Sequence, residues 1–263
     1  MKLIICGIGG KMGQLLVSCA YADGHTVVGG IEPAGSTLAG GTMSAPDGSA
    51  IPVRTSLAAL AKSGADAVID FSAVSAAAAN AAACAKLKLP LVVGTTGLGT
   101  KEQGALTRAA KAIPVIFAPN MSTGVNVLLS VTEQLARTLG AGYDIDIVEA
   151  HHRQKKDAPS GTALALAAAA ARGRGYDLKK VLCCGREGMA GARPQAEIGV
   201  LAVRGGDIVG EHTVIFAGDG ERIELIHRAQ NRAMFARGAV RAAVWAKRAK
   251  RGLHSMRDVL GLR

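Results

Sequence analysis

The sequence has 263 residues, of which 49% are hydrophobic, 19% are charged and 3% are aromatic, and its formal net charge at pH 7 is +11. This length suffices for two modest domains, and the absence of an uninterrupted apolar run of ~18 residues argues against a membrane protein. The few aromatic residues and the lack of a stacking motif argue against nucleic-acid binding, so we expect the positive charge to attract an anionic small molecule.

Predicted strands in the first half of the chain alternate with segments of helical length. They are short β-branched runs at residues 2–6, 25–31, 66–71, 89–94 and 113–118. Ala- and Leu-rich segments separate most of them, which indicates right-handed βαβ units and an α/β fold with a Rossmann-type parallel sheet. The stretch 33–52 is rich in Gly, Ser, Thr and Pro, and is predicted to be an irregular surface loop.

A glycine-rich stretch, CGIGGKMG, follows the first predicted strand and precedes a helical segment. Gly7, Gly10 and Gly13 are spaced G-x-x-G-x-x-G, and residues without Cβ allow a tight turn and the close approach of a pyrophosphate to a helix N-terminus. Glu32 ends the second predicted strand, 19 residues after Gly13, where a carboxylate would accept hydrogen bonds from the adenosine ribose. These features together predict a dinucleotide-binding site.

The expected cofactor is NADH, NADPH or both. The carboxylate of Glu32 would repel a 2′-phosphate, which favours NADH, whereas Lys11 could pair with that phosphate. We therefore expect use of both cofactors with some preference for NADH. Two later loops, 94–96 and 118–121, follow predicted parallel strands, where open α/β sheets bind their ligands, and we expect them to contact the nicotinamide end.

The second half of the chain has a different pattern of elements. Helices are predicted at 124–139, from Ser160 to about residue 171, and from 231 to about 250; strands are predicted at 143–150, 196–204, 207–217 and 222–229. Short Gly-Gly-Asp and Gly-Asp-Gly turns separate the last three strands and indicate antiparallel neighbours. We therefore expect a second, α+β domain with an open, mostly antiparallel sheet.

The predicted domain bounds follow from this change of pattern. We place a dinucleotide-binding domain at residues 1–121 and 232–263, because the last helix and the MRDVLGL segment are expected to return to it. Residues 122–231 would form the substrate-binding and oligomerisation domain. An open sheet leaves edges and a face to cover, so we expect a homo-oligomer.

The stretch EAHHRQKKDAPSGTAL, residues 149–164, places five potentially cationic side chains just before a predicted helix. Ser160 is a good N-cap, and a carboxylate could bind at Gly161 and Thr162 in the first turn of the helix. Lys155 and the histidines would bind a second carboxylate, so the pattern predicts a dicarboxylate site. A dianion would favour protonation of His151, making it a general acid at neutral pH.

Other interpretations of this basic stretch are less favoured. Adjacent histidines chelate zinc poorly and no third ligand is apparent, so we expect no metal site. A solvated basic loop or a phosphate-binding patch would also account for the charge. Five cysteines without C-x-x-C spacing suggest free thiols, and the N-terminus does not resemble a signal peptide, so we expect a soluble cytoplasmic protein.

Nearly the whole chain resembles the 4-hydroxy-tetrahydrodipicolinate reductase (dihydrodipicolinate reductase) family. The resemblance rests on GIGGKMG, DFS, GTTG, APNMS, HHRQKKDAPSGTA, RGGDIVGEHTVIF, NRAMFARGAV and MRDVLGL. It implies NAD(P)H-dependent reduction of a cyclic imine dicarboxylate to tetrahydrodipicolinate in diaminopimelate and lysine biosynthesis, by a homotetramer with no nucleic-acid or membrane partner. Many members have a basic residue directly after the ribose-binding acid, where this chain has Pro33, which argues against a strong preference for NADPH.

The resemblance also implies roles for individual residues. His151 is expected to donate or accept the proton, and Lys155 to donate it. The expected substrate-binding residues are His152, Ser160, Gly161, Thr162 and Thr96. The expected cofactor-binding residues are Gly7, Ile8, Gly9, Gly10, Lys11, Met12, Glu32, Gly94, Thr95, Thr96, Ala118, Pro119, Asn120 and Met121.

Two alternative functions are considered, the first also an enzyme and the second a protein without catalytic activity. One is a related two-domain dehydrogenase of amino-acid metabolism, of the aspartate or homoserine dehydrogenase type, and the HHRQKKDAPSGT run argues against it. The other is a non-catalytic dinucleotide sensor, in which loss of His151 and Lys155 would be expected, although both are present.

Overall fold

The structure is a computed structural model that describes residues 1–262. Its chain forms two compact units, the first comprising Met1–Thr123 and Arg232–Leu262 and the second comprising Gly124–Asn231. The strands, in chain order, are β1 Lys2–Cys6, β2 Thr26–Ile31, β3 Thr42–Ser44, β4 Ala50–Arg54, β5 Ala67–Asp70, β6 Leu91–Val93, β7 Pro114–Phe117, β8 Asp144–His151, β9 Leu182–Cys183, β10 Ile198–Arg204, β11 Glu211–Gly218, β12 Glu221–Arg228 and β13 Gly252–His254. The helices are α1 Lys11–Ala22, α2 Val74–Leu87, α3 Thr100–Ala109, α4 Thr123–Leu139, α5 Gly161–Arg174, α6 Leu178–Val181, α7 Ala233–Ala246 and α8 Met256–Leu260.

The first unit is built on an eight-stranded sheet in the order β13-β7-β6-β5-β1-β2-β4-β3. Its strand pairings are parallel except that of β3 with β4. The central strands β5 and β6 are buried at every position, as expected for a parallel sheet covered on both faces by helices. One apolar core includes α1 and α7 and the other includes α2 and α3. The predicted Rossmann-type sheet is confirmed, and its five predicted strands match β1, β2, β5, β6 and β7.

Two predictions for the first unit were wrong or incomplete. The stretch 33–52 is not wholly irregular, because it contains β3 and the start of β4. Ile51 and Val53 of β4 are fully buried and alternate with the more exposed Ala50, Pro52 and Arg54, a pattern that the sequence does not show as an alternation of apolar and polar residues. Helix α7 ends at Ala246 instead of near residue 250, because the chain turns to form β13 beside β7.

The second unit is built on a five-stranded sheet in the order β12-β11-β8-β10-β9. The antiparallel pairings of β11 with β12 and with β8 join most of the paired residues, whereas β10 is parallel to β8 and to β9. Helices α4 and α5 contribute to an apolar core with one face of the sheet. The predicted α+β class with a mostly antiparallel sheet is confirmed.

The two predicted turns of this unit have different outcomes. The Gly-Asp-Gly turn does join the antiparallel neighbours β11 and β12. The Gly-Gly-Asp turn does not join neighbours, because β8 lies between β10 and β11. Backbone hydrogen bonds from Gly205 N to His151 O and from Arg153 N to Gly206 O hold the chain beside β8, so it cannot fold back along β10.

Within residues 1–262, no helix is both long and apolar enough to cross a membrane.

Candidate active site

The glycine loop joins β1 to α1 in the first unit and depends on two positions without a side chain. Gly7 has φ +79°, and a Cβ there would lie 2.8 Å from the carbonyl oxygen of Phe71. A Cβ on Gly13 would lie 2.1 Å from the carbonyl oxygen of Gly7, so only glycine allows α1 to begin this close to β1. In the described residues, no side chain caps the N-terminus of α1 at Gly10, so its first N–H groups can bind a phosphate.

Glu32 lies directly after β2 and contacts this loop. Its Oε1 accepts a hydrogen bond from the backbone N–H of Gly9 at 2.7 Å. The acidic group therefore lies at the glycine loop, as binding of an adenosine ribose requires. Glycines that a Cβ would crowd and a carboxylate at the loop fit a dinucleotide cofactor, which would be held by the N-terminus of α1 and by Glu32.

A polar cluster after β5 supports the next loop, and the sequence analysis did not identify it. Asp70 is fully buried and accepts hydrogen bonds from Ser72 N at 2.8 Å, Ser72 Oγ at 2.5 Å and Asn80 Nδ2 at 2.9 Å. Thr95 Oγ1 donates to the Ser72 carbonyl at 3.2 Å, so its one proton is used within the protein. A Cβ on Gly94 would lie 2.1 Å from the ring of Phe71. The DFS motif therefore positions the Gly-Thr-Thr loop.

The loop after β7 is held between two buried residues. Ala118 N donates to the Val93 carbonyl at 3.3 Å, and Met121 is 1% exposed. Helix α7 passes so closely that a Cβ on Gly238 would lie 1.7 Å from the Met121 carbonyl oxygen. Between these residues, Pro119 is exposed and Asn120 is half-buried.

The predicted cofactor-binding residues differ in what they can offer a ligand. Ile8, Thr95, Ala118 and Met121 are buried, so their contribution would come chiefly through backbone groups. Exposed or half-buried positions are Gly7, Gly9, Gly10, Lys11, Met12, Glu32, Thr96, Pro119 and Asn120.

The basic stretch lies between β8 and α5 in the second unit. Ser160 is the N-cap of α5, as predicted, and its Oγ accepts a hydrogen bond from Ala163 N at 3.1 Å. Gly161 is exposed and Thr162 is half-buried at the first turn. The cluster of cations is divided, because Arg153 and Lys156 are exposed to solvent, whereas three side chains are half-buried: His151, His152 and Lys155.

His151 is held by a buried carboxylate that the sequence analysis missed. Its Nδ1 lies 2.5 Å from Oε2 of Glu149, which is 0% exposed. Glu149 Oε1 accepts from Ser160 N at 3.0 Å, and Arg204 binds both carboxylate oxygens at 2.8 Å each. The period of two along a strand puts Glu149 and His151 on the same face of β8, which is the signal that could have identified the pair.

Lys155 is oriented by its own loop. Its Nζ donates to both carboxylate oxygens of Asp157 at 2.9 Å, and its backbone N–H donates to the His152 carbonyl at 3.1 Å. The ammonium group is therefore held by a partly exposed ion pair that a bound anion can replace.

His212 of β11 lies beside His151, with ring centroids 5.2 Å apart in an edge-on arrangement. Its Nε2 lies 3.2 Å from Ser160 Oγ. Burial, and then the nearby His151, lower the pKa of His212 to about 4, so this imidazole is neutral at physiological pH. It packs against the site without adding positive charge.

The low pKa of His212 predicts a loss of stability in acid. An unfolded histidine protonates below pH ~6.5 and His212 in the folded protein only near 4, so the unfolded state binds more protons in this window. The contribution is fully present above pH ~6.5 and falls by about 3 kcal/mol as the pH approaches 4. Chemical denaturation, followed by circular dichroism at several pH values, measures the free energy of unfolding. This free energy should depend less steeply on pH in His212→Asn than in the wild type. If the free energy of unfolding depends equally on pH in the two proteins, the low pKa of His212 is contradicted.

Family models and full-length relatives match nearly the whole chain. A family model described as "Dihydrodipicolinate reductase, N-terminus" matches residues 1–121, and one described as "Dihydrodipicolinate reductase, C-terminus" matches residues 124–260. A 4-hydroxy-tetrahydrodipicolinate reductase of Geobacter metallireducens is 45% identical over 266 residues, covering 100% of both chains. Its counterpart from Thiobacillus denitrificans is 47% identical over 265 residues, covering 100% of this chain and 99% of the relative.

A solved structure supports the fold independently of sequence. The dipicolinate-bound dihydrodipicolinate reductase from Paenisporosarcina sp. TG-14 has a TM-score of 0.79 at 24% identity and covers 97% of each chain.

A Rossmann-type unit with a nucleotide-binding glycine loop, followed by an α+β unit with a histidine and a lysine in one turn, is the architecture of a two-domain NAD(P)H-dependent oxidoreductase. Both halves of the chain match the same family of such enzymes. The chain belongs to the dihydrodipicolinate reductase family.

Proposed function

We propose that this protein reduces 4-hydroxy-tetrahydrodipicolinate, through the dihydro ring formed by loss of water, to tetrahydrodipicolinate in diaminopimelate and lysine biosynthesis. The observation that carries the proposal is that Glu149 binds both His151 and Ser160, the N-cap of α5. This pairing brings a proton-carrying imidazole together with a helix end suited to binding a carboxylate. Relatives 45–47% identical over their full length have the corresponding name.

The start of α5 is the proposed anchor for one substrate carboxylate. Apart from its chain neighbours and the backbone of its own helix, no described atom lies within 4 Å of a Cβ placed on Gly161, so an anion can approach the start of α5 at this residue. The partial positive charge of the helix N-terminus adds to this attraction. Lys155 and His152 would bind the second carboxylate, and each charge-assisted hydrogen bond contributes roughly 1.5–3 kcal/mol. A dianion would thus be bound in one orientation.

The reaction adds a hydride to one atom of a ring double bond and a proton to another. The nicotinamide supplies the hydride when the cofactor is bound. His151 and Lys155 are the two proposed proton donors, since each carries an exchangeable proton in the turn that precedes the carboxylate anchor. His212 is not proposed as a proton donor, because its pKa of about 4 leaves it neutral near pH 7.

The proposed cofactor-binding residues lie in the glycine loop, in Glu32 and in the loops 94–96 and 118–121. NADH should be preferred over NADPH, because Glu32 would accept hydrogen bonds from both ribose hydroxyls of NADH but would repel the 2′-phosphate of NADPH. Lys11 is exposed and can offset part of this repulsion.

The variant Glu32→Ala should bind NADH about tenfold to a hundredfold more weakly, because it loses charge-assisted hydrogen bonds to the ribose. Its affinity for NADPH should fall less, since the repulsion is removed as well. Fluorescence titration with each nucleotide measures both dissociation constants. Glu102→Ala is a matched control, because Glu102 also accepts one backbone N–H, that of Gly99 at 3.1 Å, in the same unit. Equal losses for the two nucleotides would exclude the ribose role of Glu32.

A coupled assay tests the proposed reaction directly. Pyruvate, aspartate semialdehyde and the synthase that condenses them would be mixed with this protein, and oxidation of NADH or NADPH followed at 340 nm. We expect oxidation only when all components are present. No oxidation with the complete mixture, or equal oxidation with aspartate or homoserine dehydrogenase substrates, would contradict the proposal.

The outer face of the five-stranded sheet supports the proposal of a homotetramer. Leu201, Val203 and Ile226 point away from the helices and are 36%, 48% and 47% exposed, and β9 and β12 are edge strands. Apolar side chains on an uncovered sheet face favour association with a second copy. Light scattering coupled to gel filtration measures the assembly. We also propose a cytoplasmic location, with which five free cysteines agree.

A further inference from the structure

Glu149 is a fully buried carboxylate that receives hydrogen bonds from three elements of the second unit. His151 on β8 binds Oε2, Ser160 at the start of α5 binds Oε1, and Arg204 at the end of β10 binds both oxygens. A buried carboxylate is costly unless it is paired and hydrogen-bonded, and here Arg204 already balances its charge. The bond to His151 is therefore additional to what the burial of Glu149 requires.

The ionisation of Glu149 determines which nitrogen of His151 carries a proton. Burial by itself would raise the pKa of Glu149, but hydrogen bonds from Arg204, His151 and Ser160 outweigh it and hold that pKa below its ordinary value. An ionised carboxylate only accepts hydrogen bonds, so Nδ1 of His151 must be the donor. This leaves Nε2 as the ring nitrogen that can exchange a proton with a ligand.

Gly210 is the residue that lies beside Nε2, and a side chain at this position would crowd the ring. A Cβ on Gly210 would lie 3.0 Å from Nε2, so this side of the ring faces a residue that has no side chain. His212 packs edge-on against the ring and fixes its plane from β11.

We propose that Glu149 is a positioning residue, which holds His151 in the Nδ1–H tautomer with Nε2 available to the substrate and joins this imidazole to the helix end that binds the substrate carboxylate. The inference rests on the proposed function, in which His151 exchanges the proton. A buried ion pair by itself contributes little net stability compared with apolar side chains of similar size. Orientation of the imidazole is a role that apolar residues could not replace.

Other charged or titratable groups surround this pair and must be considered in any pH measurement. They lie on β10, β11, β12 and the loop before α5, and they are Arg204, His212, His227, Lys155 and Asp157. His212 is the imidazole closest to His151 in this group, and its pKa of about 4 keeps it neutral across the useful range.

The tautomer can be measured in the wild-type protein without any substrate. Ring 15N chemical shifts of labelled histidine, with His151 assigned by comparison with His151→Asn, distinguish Nδ1–H from Nε2–H. We expect Nδ1–H with an unprotonated Nε2 at high pH. Finding the Nε2–H tautomer would overturn the inference whatever the variants do.

The variant Glu149→Gln tests the effect on catalysis. We expect kcat to fall by about 10². The alkaline limb of the kcat/KM profile should move to lower pH, because loss of the carboxylate charge disfavours the imidazolium. Glu149→Asp retains the charge, so it should return the limb towards its wild-type position even if kcat stays low. If the role of Glu149 were purely structural, its replacement would shift neither limb of the kcat/KM profile.

Glu133→Gln is the matched control. Glu133 also binds an arginine of this unit, Arg172, at 3.1 Å, in the last turn of α5. That contact is about 18 Å along the helix from Ser160, so its loss should leave the pH profile in place. A far-UV circular dichroism spectrum and a thermal unfolding midpoint like those of the wild type would show that Glu149→Gln is folded; if it does not fold, the tautomer measurement decides.

The outcomes separate this inference from the proposed function. If the wild-type protein is inactive in the coupled assay, the proposed reaction is wrong, whichever tautomer His151 adopts. An active wild type with an unshifted pH profile in Glu149→Gln would remove the positioning role and leave the reaction standing.

Discussion

Replacing Lys155 with alanine should lower kcat by about 10² to 10⁴, the range for loss of a general acid, while the dissociation constants of NADH and NADPH change less than about twofold. Lys155 is half-buried in the turn before α5, and Asp157 orients its ammonium group. Lys155 lies in the second unit, whereas the glycine loop and Glu32 belong to the first. Its replacement should therefore leave nucleotide binding nearly unchanged. Steady-state kinetics and nucleotide titrations measure the two effects separately.

Lys156→Ala is the matched control for this substitution. Lys156 is the next residue in the chain and has the same charge, but it is exposed to solvent. Its loss should therefore have little effect on turnover. If Lys155→Ala and Lys156→Ala have similar kcat values, Lys155 has no specific part in the mechanism.

Lys155→Arg separates proton donation from charge. Arginine keeps the positive charge but does not give up a proton in proteins. Retained turnover in Lys155→Arg would assign the proton to His151 and a purely electrostatic role to Lys155.

The variant Gly13→Ala should lose both stability and cofactor binding. A Cβ at this position would lie 2.1 Å from the Gly7 carbonyl oxygen and 2.5 Å from that of Ile8, and both are backbone atoms that cannot rotate away. Overpacking of this kind costs typically 1–3 kcal/mol, and we expect the upper end or more. Since the glycine loop must open to admit the methyl group, NADH affinity should fall at least about a hundredfold. Thermal unfolding and nucleotide titration test the two parts.

Gly104→Ala is the control for Gly13→Ala. Gly104 lies in α3 of the same unit, and the nearest atom to its added Cβ would be Arg108 Nη1 at 3.4 Å, at the flexible end of a side chain. Alanine there should stabilise the protein by about 0.5–1 kcal/mol, because it reduces the freedom of the unfolded chain. If Gly13→Ala and Gly104→Ala change the stability of the protein by similar amounts, the contact with the Gly7 carbonyl is unimportant.

The features that the sequence predicted correctly are those defined by local patterns. The buried parallel strands and the Ser160 cap depend on residues within a few positions of one another, and both are confirmed. The position of β10 could not be predicted in this way, since a Gly-Gly-Asp turn is compatible with a hairpin and with a crossover. Its parallel pairing with β8 depends on contacts distant in sequence.

The supporting residues of the site were missed for the same reason. Glu149, Arg204 and His212 come from three strands, and they meet only because the register pairs Arg204 with His151 and His212 with Glu149. Isolated charged residues in a strand ordinarily indicate an exposed face. Glu149 was therefore described as part of a basic stretch, although it is the buried acid to which that stretch is attached.

The segment Arg232–Leu262 belongs to the first unit but follows the second unit in the chain, which affects the order in which the two units can fold. Helix α7 supplies Ala236, Ala239, Val240 and Ala243 to the core that covers one face of the eight-stranded sheet. During synthesis on the ribosome, the residues of the second unit emerge before this helix does. The inserted α+β unit can therefore fold while its host is still incomplete, and the nucleotide-binding half must wait for the last thirty or so residues of the chain before its apolar sheet face is covered.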